Sequence, residues 1–444
     1  MGLLHFFQKL FRCTGSQVAL VQPSVRVEPQ QLAVPVVHKP PGLMLLREEM
    51  LDSTGRLAGY RFSCGVPEDG AEVSMGRYLA ALHEAHVKAL AERRTAVISL
   101  RLEDGLGVDF TELVAQGTVF HVLARTAQLV APSSLPSLKA LRDKGAGLAL
   151  SVEDISNLPA LAPALALATH AIVDISAQPV ESFEQLVIAL QEACPHVVIV
   201  VDNVATWPVR HMCVAMGIEF AMGYFLSTID EREYGEKMSD SRMVLMDMLN
   251  LVRNDGDAEA LAAVAKRDPG VAVHLLSMAN SPAYGLKAPL TGIDQAIVVL
   301  GRETLYRWLA VSLFRVGTDQ ARDEALLEVA LARASFLEKA GLAVGSRQHA
   351  DELFLVGLLS FIDTLLGLPM ATVLKDLTLP AVVKDVLLSS EGPYGRFLLL
   401  ALAVERCQVQ RAMQLASSLG IQPDALTSYR NEARQWAEQA VQAA

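Results

Sequence analysis

The sequence predicts two folded parts of different class, an α/β barrel followed by an all-α domain. Short β-rich runs alternate with helical patterns from about residue 43 to 235. After about residue 240 the strand patterns stop, and the apolar residues recur with a helical period instead. The 444 residues are enough for two or three domains of about 150 residues each. We therefore expect a barrel at 43–235 and a helical domain at 240–444, preceded by a separate segment at 1–42.

The N-terminal segment differs in composition from both domains. Leu3, Phe7 and Leu10 fall on one helical stripe, whereas residues 14–42 contain five prolines and little periodicity, as is typical of a linker. The stripe indicates a peripheral membrane contact or a partner-binding helix through residues 1–12. The alternative is a helix that packs on the protein's own surface.

Eight short runs rich in β-branched and other apolar residues mark the strands of the predicted barrel. They are 44–47, 57–62, 96–102, 119–123, 148–152, 171–175, 197–202 and 219–222. Only a turn at 52–55 separates the first two, so we expect one of them to run antiparallel to its neighbour. Alternation of this kind is typical of a βα barrel, and a compact doubly wound sheet is the alternative.

Capping residues as well as periodicity mark the helical domain. Asp257 and Asp268 stand where N-caps belong, and Pro269 takes the first helical position after Asp268. Further helices are predicted to begin near residues 293, 303, 324, 351, 381, 395 and 423. A polar stretch at 231–240 predicts the domain boundary.

Composition narrows the range of partners and compartments. The chain has 38 Lys and Arg against 49 Asp and Glu, a net charge of −11, which disfavours a nucleic-acid partner. Its five cysteines form no CxxC pair, so neither a zinc ribbon nor a disulfide framework is predicted. The longest apolar runs are too short to span a bilayer. We expect a cytoplasmic protein.

Two segments of the helical domain carry a family resemblance. They are KRDPGVAVHLLSMANSPAYGLKAPLTGIDQAIVVLGRETLYRWL at 266–309 and LFLVGLLSFIDTLLGLP at 353–369. The first resembles the HDOD domain, a metal-free relative of the HD-type phosphohydrolases. The other is similar to the helix that carries the His-Asp pair in catalytic HD proteins. That pair reads Ser360-Phe361 here, and Phe361 offers no ligand to a metal ion.

Five short motifs of the barrel segment carry a further resemblance. In chain order they are GRLAGYRFS at 55–63, LALSVEDIS at 148–156, AIVDIS at 171–176, VVDNVAT at 200–206 and AMGYFLS at 221–227. They resemble the EAL domain, whose active members hydrolyse the bacterial second messenger cyclic di-GMP with two metal ions. The whole chain resembles EAL-HDOD two-domain bacterial signalling proteins. This implies an EAL-like, modified TIM barrel followed by an HDOD helical domain.

Most positions at which the EAL family holds its metal ions carry other residues here. The carboxylate of the naming tripeptide reads Arg61, which is a cation. The other degenerate EAL positions are Ser99, Ser151, Ile172, Asp202, Ala205 and Met222. A two-metal hydrolase needs several carboxylates and a general base that deprotonates water. We therefore expect no catalytic residue, no metal and no cofactor, and a chain that is not an enzyme.

Several other residues have both a functional and a structural interpretation. Asp174 and Asp202 end predicted strands, where barrel enzymes keep functional groups, but capping of the next helix is the interpretation we favour. The candidate partner-binding residues of the helical domain are Asn280, Tyr284, Arg302, Arg307 and Trp308. Helix termination by Asn280 and ordinary helix packing are the structural alternatives for this group.

These observations predict a non-catalytic signalling protein. In this interpretation the HDOD domain binds a signalling protein partner, and the inactive EAL-like barrel acts as a sensor or scaffold. Two alternatives stay open: a receptor that binds cyclic di-GMP without hydrolysis, and a cyclic di-GMP phosphodiesterase. Arg61 and Met222 weigh against both, and more heavily against the phosphodiesterase.

Overall fold

The computed structural model describes residues 43–64, 73–103, 108–131, 133–230, 232, 239–284, 286, 288–317 and 319–442. The N-terminal segment at 1–42, with the contact predicted for residues 1–12, lies outside the described residues. Within the ranges given, no helix combines the length and apolar composition that crossing a membrane requires.

Eight strands close into a single barrel, as the alternation of strand and helix patterns predicts. They are β1 (Leu45–Asp52), β2 (Leu57–Cys64), β3 (Thr95–Arg101), β4 (Thr118–Leu123), β5 (Gly147–Ser151), β6 (His170–Asp174), β7 (Val198–Asp202) and β8 (Phe220–Met222). Strand β1 runs antiparallel to both β2 and β8, and all other neighbours are parallel. The predicted barrel with an antiparallel first hairpin is confirmed, and the doubly wound alternative is wrong.

The largest difference between the predicted and observed strands lies in β1. The sequence predicts a strand at 44–47, whereas β1 continues to Asp52. The adjacent carboxylates Glu48 and Glu49 lie beyond the predicted strand, and both have partners in the fold. Glu48 lies opposite Arg61 of β2, and Glu49 lies near Arg434 of the helical domain.

Helices surround the barrel, and an apolar layer fills its interior. In the described residues these helices are α1 (Met75–Glu84), α2 (Val87–Ala91), α3 (Thr126–Leu129), α4 (Ser134–Arg142), α5 (Leu158–Leu165), α6 (Val180–Ala193) and α7 (Trp207–Ala215). The apolar layer consists of Met50, Val97, Val119, Ala149, Ile172, Val200 and Met222. Because side chains alternate along a strand, residues two positions further towards the carboxyl end form the next inward-facing layer.

The described residues from 239 onwards are helical, as predicted. The helices are α8 (Asp240–Arg253), α9 (Ala258–Ala265), α10 (Pro269–Ala279), α11 (Ile293–Leu300), α12 (Arg302–Ser312), α13 (Gln320–Val344), α14 (Arg347–Leu359), α15 (Ile362–Leu366), α16 (Met370–Asp376), α17 (Ala381–Ser389), α18 (Gly395–Glu405), α19 (Val409–Leu419) and α20 (Ala425–Gln442). Asp257 and Asp268 cap α9 and α10, since their carboxylates accept backbone N–H groups of the first turn.

The long helix α13 is the centre of the helical domain and packs mainly against α14 and α20. Its crossing with α14 is close because Gly357 of α14 has no side chain. A Cβ atom at Gly357 would lie 2.5 Å from Cα of Ala334 on α13. The two helices therefore need glycine at this point to keep their separation.

The helical domain also covers the outer face of the first hairpin of the barrel. No helix lies between β1 and β2, so the barrel's own helices do not cover that face. Tyr60 and Phe62 of β2 are nevertheless buried, and α13 packs against β2. One apolar core accordingly continues from the barrel into the helical domain.

Charged groups are buried in this interface along with the apolar ones. Glu328 of α13 is 2% exposed; it accepts a hydrogen bond from the Tyr60 hydroxyl and another from Arg94 at 2.9 Å. Arg47 of β1 pairs with Glu438 of α20 at 2.6 Å, and its guanidinium lies 3.4 Å from the centre of the Tyr60 ring. A buried ion that loses its partner is costly, so these contacts hold the two domains in one arrangement.

We expect Glu328→Ala to lower the free energy of unfolding by about 3–5 kcal/mol, because it leaves Arg94 and the Tyr60 hydroxyl buried without an acceptor. The measurement is urea unfolding of the full chain. Glu432→Ala is the matched control: Glu432 also lies on the helical domain and pairs with Lys339, but it is exposed, so a loss within about 1 kcal/mol is expected. Equal losses in the two variants would show that the buried network does not stabilise the fold.

Candidate functional site

A layer of polar side chains lies at the carboxyl end of the barrel, directly above the apolar layer. Six of its members stand two positions along a strand from a residue of the apolar layer: Glu48, Ser99, His121, Ser151, Asp174 and Asp202. Its seventh member, Arg61 of β2, lies opposite Glu48. We call this set the polar layer. Functional groups of barrel proteins are concentrated at this end of the strands, which makes the polar layer the candidate site.

Arg61 joins the two sides of the polar layer. Its Nε donates to Glu48 at 2.7 Å, and both Nη atoms donate to the carboxylate of Asp202, one of them at 3.0 Å. Burial alone would lower the pKa of Arg61, but the hydrogen bonds to Glu48 and Asp202 outweigh it and the pKa is raised. Arg61 therefore stays charged and offsets one of the two negative charges on either side of it.

His121 lies deeper in the same layer and is held between two hydroxyl groups. Its Nδ1 is 3.3 Å from Oγ of Ser99, and its Nε2 is 2.9 Å from Oγ of Ser151. Burial, together with repulsion from Arg61, lowers the pKa of His121 to about 3. The imidazole is therefore neutral at physiological pH, and one of its nitrogens donates while the other accepts.

The two aspartates at the strand ends make local contacts with the loops that follow. Asp174 accepts a hydrogen bond from the backbone N–H of Ser176 at 2.8 Å, which is the helix-capping role we favour. Its second oxygen accepts from the side chain of Asn203 at 2.8 Å. Asp202 accepts from the backbone N–H of Asn203 at 2.8 Å in addition to its bonds with Arg61.

The polar layer does not fit a metal ion at the position of Arg61. A divalent cation needs carboxylates or imidazoles that converge with free lone pairs. Glu48 and Asp202 instead converge on the guanidinium of Arg61. Over the ranges described, no group of three or more His, Cys, Asp and Glu side chains is arranged to hold a metal.

The structure brings together only some of the EAL positions identified from sequence. Arg61, Ser99, Ser151 and Asp202 share the polar layer, whereas Ile172 and Met222 lie in the apolar layer. Ala205 is exposed in the loop after β7. The sequence analysis did not identify Glu48. Its position two residues before Met50 puts both side chains on the same face of a strand, which is the sequence signal for Glu48 facing inward.

Three candidate partner-binding residues have structural roles inside the helical domain. Asn280 holds the following loop, donating to the carbonyl of Leu290 at 2.9 Å and accepting from its N–H at 2.6 Å. Arg307 binds Glu338 through two hydrogen bonds of 3.0 and 3.1 Å, and Trp308 is 1% exposed. Arg307 and Trp308 are buried because α12 is enclosed on several sides, which corrects their placement on a contact surface.

The other two candidates reach the surface. Tyr284 is half-buried at the end of a 3₁₀ turn, Pro282–Tyr284. Arg302 donates to the carbonyls of Val252 and Gly256 at 3.1 and 2.6 Å, and its side chain is 47% exposed. Both side chains therefore remain within reach of another molecule.

The positions of the HD pair are occupied by a hydroxyl and a buried ring. Ser360 donates to the carbonyl of Gly357 at 2.7 Å and accepts from Arg333 at 2.8 Å. The guanidinium of Arg333 lies 4.0 Å from the centre of the Phe361 ring. Both residues of this pair therefore contact the guanidinium of Arg333.

Comparison with known proteins identifies part of the chain. Residues 239–377 match the model of the HDOD domain family. "Cyclic di-GMP phosphodiesterase CdgJ" of Vibrio cholerae is 24% identical over 240 residues, which cover 53% of this chain and 55% of the relative. "Uncharacterized protein YuxH" of Bacillus subtilis is 25% identical over 250 residues, covering 55% of this chain and 59% of the relative. The chain thus spans less than two thirds of the length of either relative.

Solved structures that resemble the chain include two EAL proteins. The PaMucR phosphodiesterase in complex with c-di-GMP has a TM-score of 0.31 at 13% identity, covering 46% of this chain and 94% of that one. The Xanthomonas citri FimX EAL domain in complex with c-di-GMP has a TM-score of 0.32 at 10% identity, covering 41% and 85%. The closed order of the eight strands by itself shows that this part of the chain is a barrel.

The comparison with the Vibrio cholerae protein corrects one expectation. Replacement of metal ligands led us to expect a chain that is not an enzyme. That relative is named a phosphodiesterase, so the expectation is wrong. Substitutions at individual ligand positions are too narrow a basis for a conclusion about activity.

Burial of the His121 imidazole makes the stability of the folded chain depend on pH. The folded state keeps His121 neutral down to about pH 3, whereas the unfolded chain protonates it below about pH 6.5. The unfolded state therefore binds more protons in this window, and stability falls as the pH falls, by about 1.4 kcal/mol per pH unit. We expect His121→Asn to remove this contribution in urea unfolding between pH 6.5 and 5.

His83→Asn is the control for that measurement, because the His83 side chain is 45% exposed on α1. It should keep the pH dependence of the wild type. If the free energy of unfolding of the His121→Asn variant changed with pH as steeply as that of the wild type, His121 would have to take up a proton in the folded state.

The family match and the observed fold agree on the organisation of the chain. The segment at 266–309, in which the resemblance was found, lies within the matched residues, and the barrel precedes them. The chain therefore carries an HDOD domain at residues 239–377, behind a closed eight-stranded barrel.

Proposed function

We propose that this chain is a regulatory protein of cyclic di-GMP signalling, in which the barrel interacts with cyclic di-GMP and the HDOD domain binds a protein partner. One observation carries the proposal. An HDOD domain follows a closed barrel in a chain that is related over 240 residues to a protein named a cyclic di-GMP phosphodiesterase.

The charges of the polar layer support the assignment of the nucleotide to the barrel. Cyclic di-GMP carries two phosphodiester groups, which unscreened carboxylates repel. Arg61 is bound to both Glu48 and Asp202, so it offsets much of their charge at the carboxyl end of the barrel. The barrel could bind cyclic di-GMP with or without hydrolysing it, and an assay for the linear dinucleotide separates the two cases.

The surface of the HDOD domain supports the assignment of a protein partner. Val273 of α10 and Val298 of α11 are 62% and 71% exposed, the most exposed large apolar residues of this domain among those described. The two helices pack against each other. Neighbouring exposed apolar side chains are a feature of protein interaction surfaces, and Tyr284 and Arg302 add polar groups to the same domain.

We expect calorimetric titration of the full chain to show binding of cyclic di-GMP, with and without magnesium or manganese. Arg61→Ala should weaken this binding at least about tenfold, because it leaves Glu48 and Asp202 unscreened next to the phosphates. Arg61→Lys keeps the charge and should lose less. Lys139→Ala, at an exposed position of α4, should bind as the wild type does.

An assay for the linear dinucleotide, run on the same samples, separates hydrolysis from binding alone. Either result supports a role in cyclic di-GMP signalling. Absence of both binding and product over the full titration would refute the assignment to the barrel.

The HDOD assignment is tested by crosslinking the full chain to its partners and identifying them by mass spectrometry. We expect Val298→Asp to lose the proteins that the wild type captures, because a charge at the centre of an apolar contact is desolvated without a partner. Leu388→Asp is the matched control: it also replaces an exposed apolar residue, 49% exposed, but lies outside the matched residues 239–377. Retention of every captured protein by Val298→Asp would contradict the proposal.

A further inference from the structure

A cavity of about 430 Å³ lies between the barrel and the helical domain, next to the polar layer, with which it shares Glu48. Its walls include Arg47 and Glu49 of β1, Glu328 of α13, and Arg430 and Arg434 of α20. We call it the interdomain cavity. Its volume lies within the range of small-molecule sites, about 300–1,000 Å³.

Arg430 is buried in the wall of this cavity without a carboxylate partner. It is 4% exposed, and one Nη atom donates to the carbonyl of Leu45 at 2.8 Å. Its Nε is buried and has no hydrogen-bond partner. Burial lowers the pKa of Arg430. A buried donor of a charged group that stays unpaired costs free energy, which a bound acceptor would recover.

Arg434 lies one turn further along α20, on the same face as Arg430. In the part of the chain that the structure describes, no hydrogen bond or ion pair joins Arg434 to a neighbour. Burial, followed by repulsion from Arg430 and Arg47, lowers the pKa of Arg434 to about 9. The two guanidiniums, which we call the α20 arginines, thus lie close enough to repel each other.

Most carboxylates of the cavity wall have partners other than the α20 arginines, although Glu49 and Glu405 attract Arg434. Glu328 is bound by Tyr60 and Arg94, and Glu405 accepts two hydrogen bonds from Arg333 at 2.7 and 2.6 Å. These two carboxylates therefore have their own cations or hydroxyl donors.

Two further acids of the wall are buried. Burial raises the pKa of Glu49 and also that of Asp363, while Arg434 and Arg47 lower the pKa of Glu49. Glu48 is bound by Arg61. The wall thus has five arginines and five carboxylates in all, with positive charge concentrated where Arg430 and Arg434 lie side by side.

We propose that the interdomain cavity binds a phosphate-bearing small molecule, with its phosphate oxygens held by Arg430 and Arg434. A guanidinium presents paired N–H donors that match a phosphate group, and two of them suit a dianion better than a singly charged carboxylate. The ligand would contact α20, α13 and β1 together and so stabilise the joined arrangement of the two domains. This inference does not depend on the proposed function.

The test is calorimetric titration of the full chain with inorganic pyrophosphate, GMP and cyclic di-GMP as separate probes. We expect at least one probe to bind, and Arg434→Gln to weaken that binding at least about tenfold. Arg434 makes no bond of its own, so this variant should keep its fold. Arg430→Lys keeps the positive charge but loses the paired N–H donors of the guanidinium, so it should also weaken binding. Arg396→Gln, at an exposed position of α18, is the matched control and should bind as the wild type does.

The three probes distinguish the source of the phosphate. Pyrophosphate binding that depends on Arg434 supports recognition of the phosphate alone, and tighter binding of either nucleotide supports a nucleotide ligand. Cyclic di-GMP binding that Arg61→Ala weakens but Arg434→Gln does not belongs to the barrel. The cavity proposal is overturned if Arg434→Gln weakens the binding of none of the three probes. Failure of every probe to bind would overturn it as well.

Discussion

The buried carboxylate of Glu328 determines how the two halves of this protein fit together. Because β1 and β2 form a hairpin, no helix of the barrel covers their outer face, and α13 takes that place. Glu328 reaches from α13 to Tyr60 and Arg94, and a charge in such a position must be matched on both sides of the interface. The barrel and the helical domain are therefore parts of one folding unit with a continuous core.

Much of the fold could be predicted from the sequence because strand and helix periods differ clearly along the chain. The predicted helix starts lie within four residues of the observed ones, and all eight strands are present. The sequence analysis ended β1 too early, because two adjacent carboxylates disfavour a strand locally and the partners of Glu48 and Glu49 lie elsewhere in the chain. Tertiary contacts outweigh local propensity there.

The candidate site was predictable in part. The resemblance identified Arg61, Ser99, Ser151 and Asp202, but the bonds that join them depend on strand register. Helical period likewise could not place Arg307 and Trp308, because α12 is buried around most of its circumference and has no single inward face. The expectation that the chain is not an enzyme is wrong because it rests on missing ligand residues alone.

The first residues of the described barrel are attached to the opposite end of the chain. The carbonyl of Met44 accepts from the Cys407 thiol at 2.9 Å, and that of Leu45 accepts from Arg430 at 2.8 Å. Any tension applied to the chain ahead of Met44 is thus transmitted to α20 as well as to the barrel. Tethering of the N-terminal residues would pull directly on the arginine that lines the interdomain cavity.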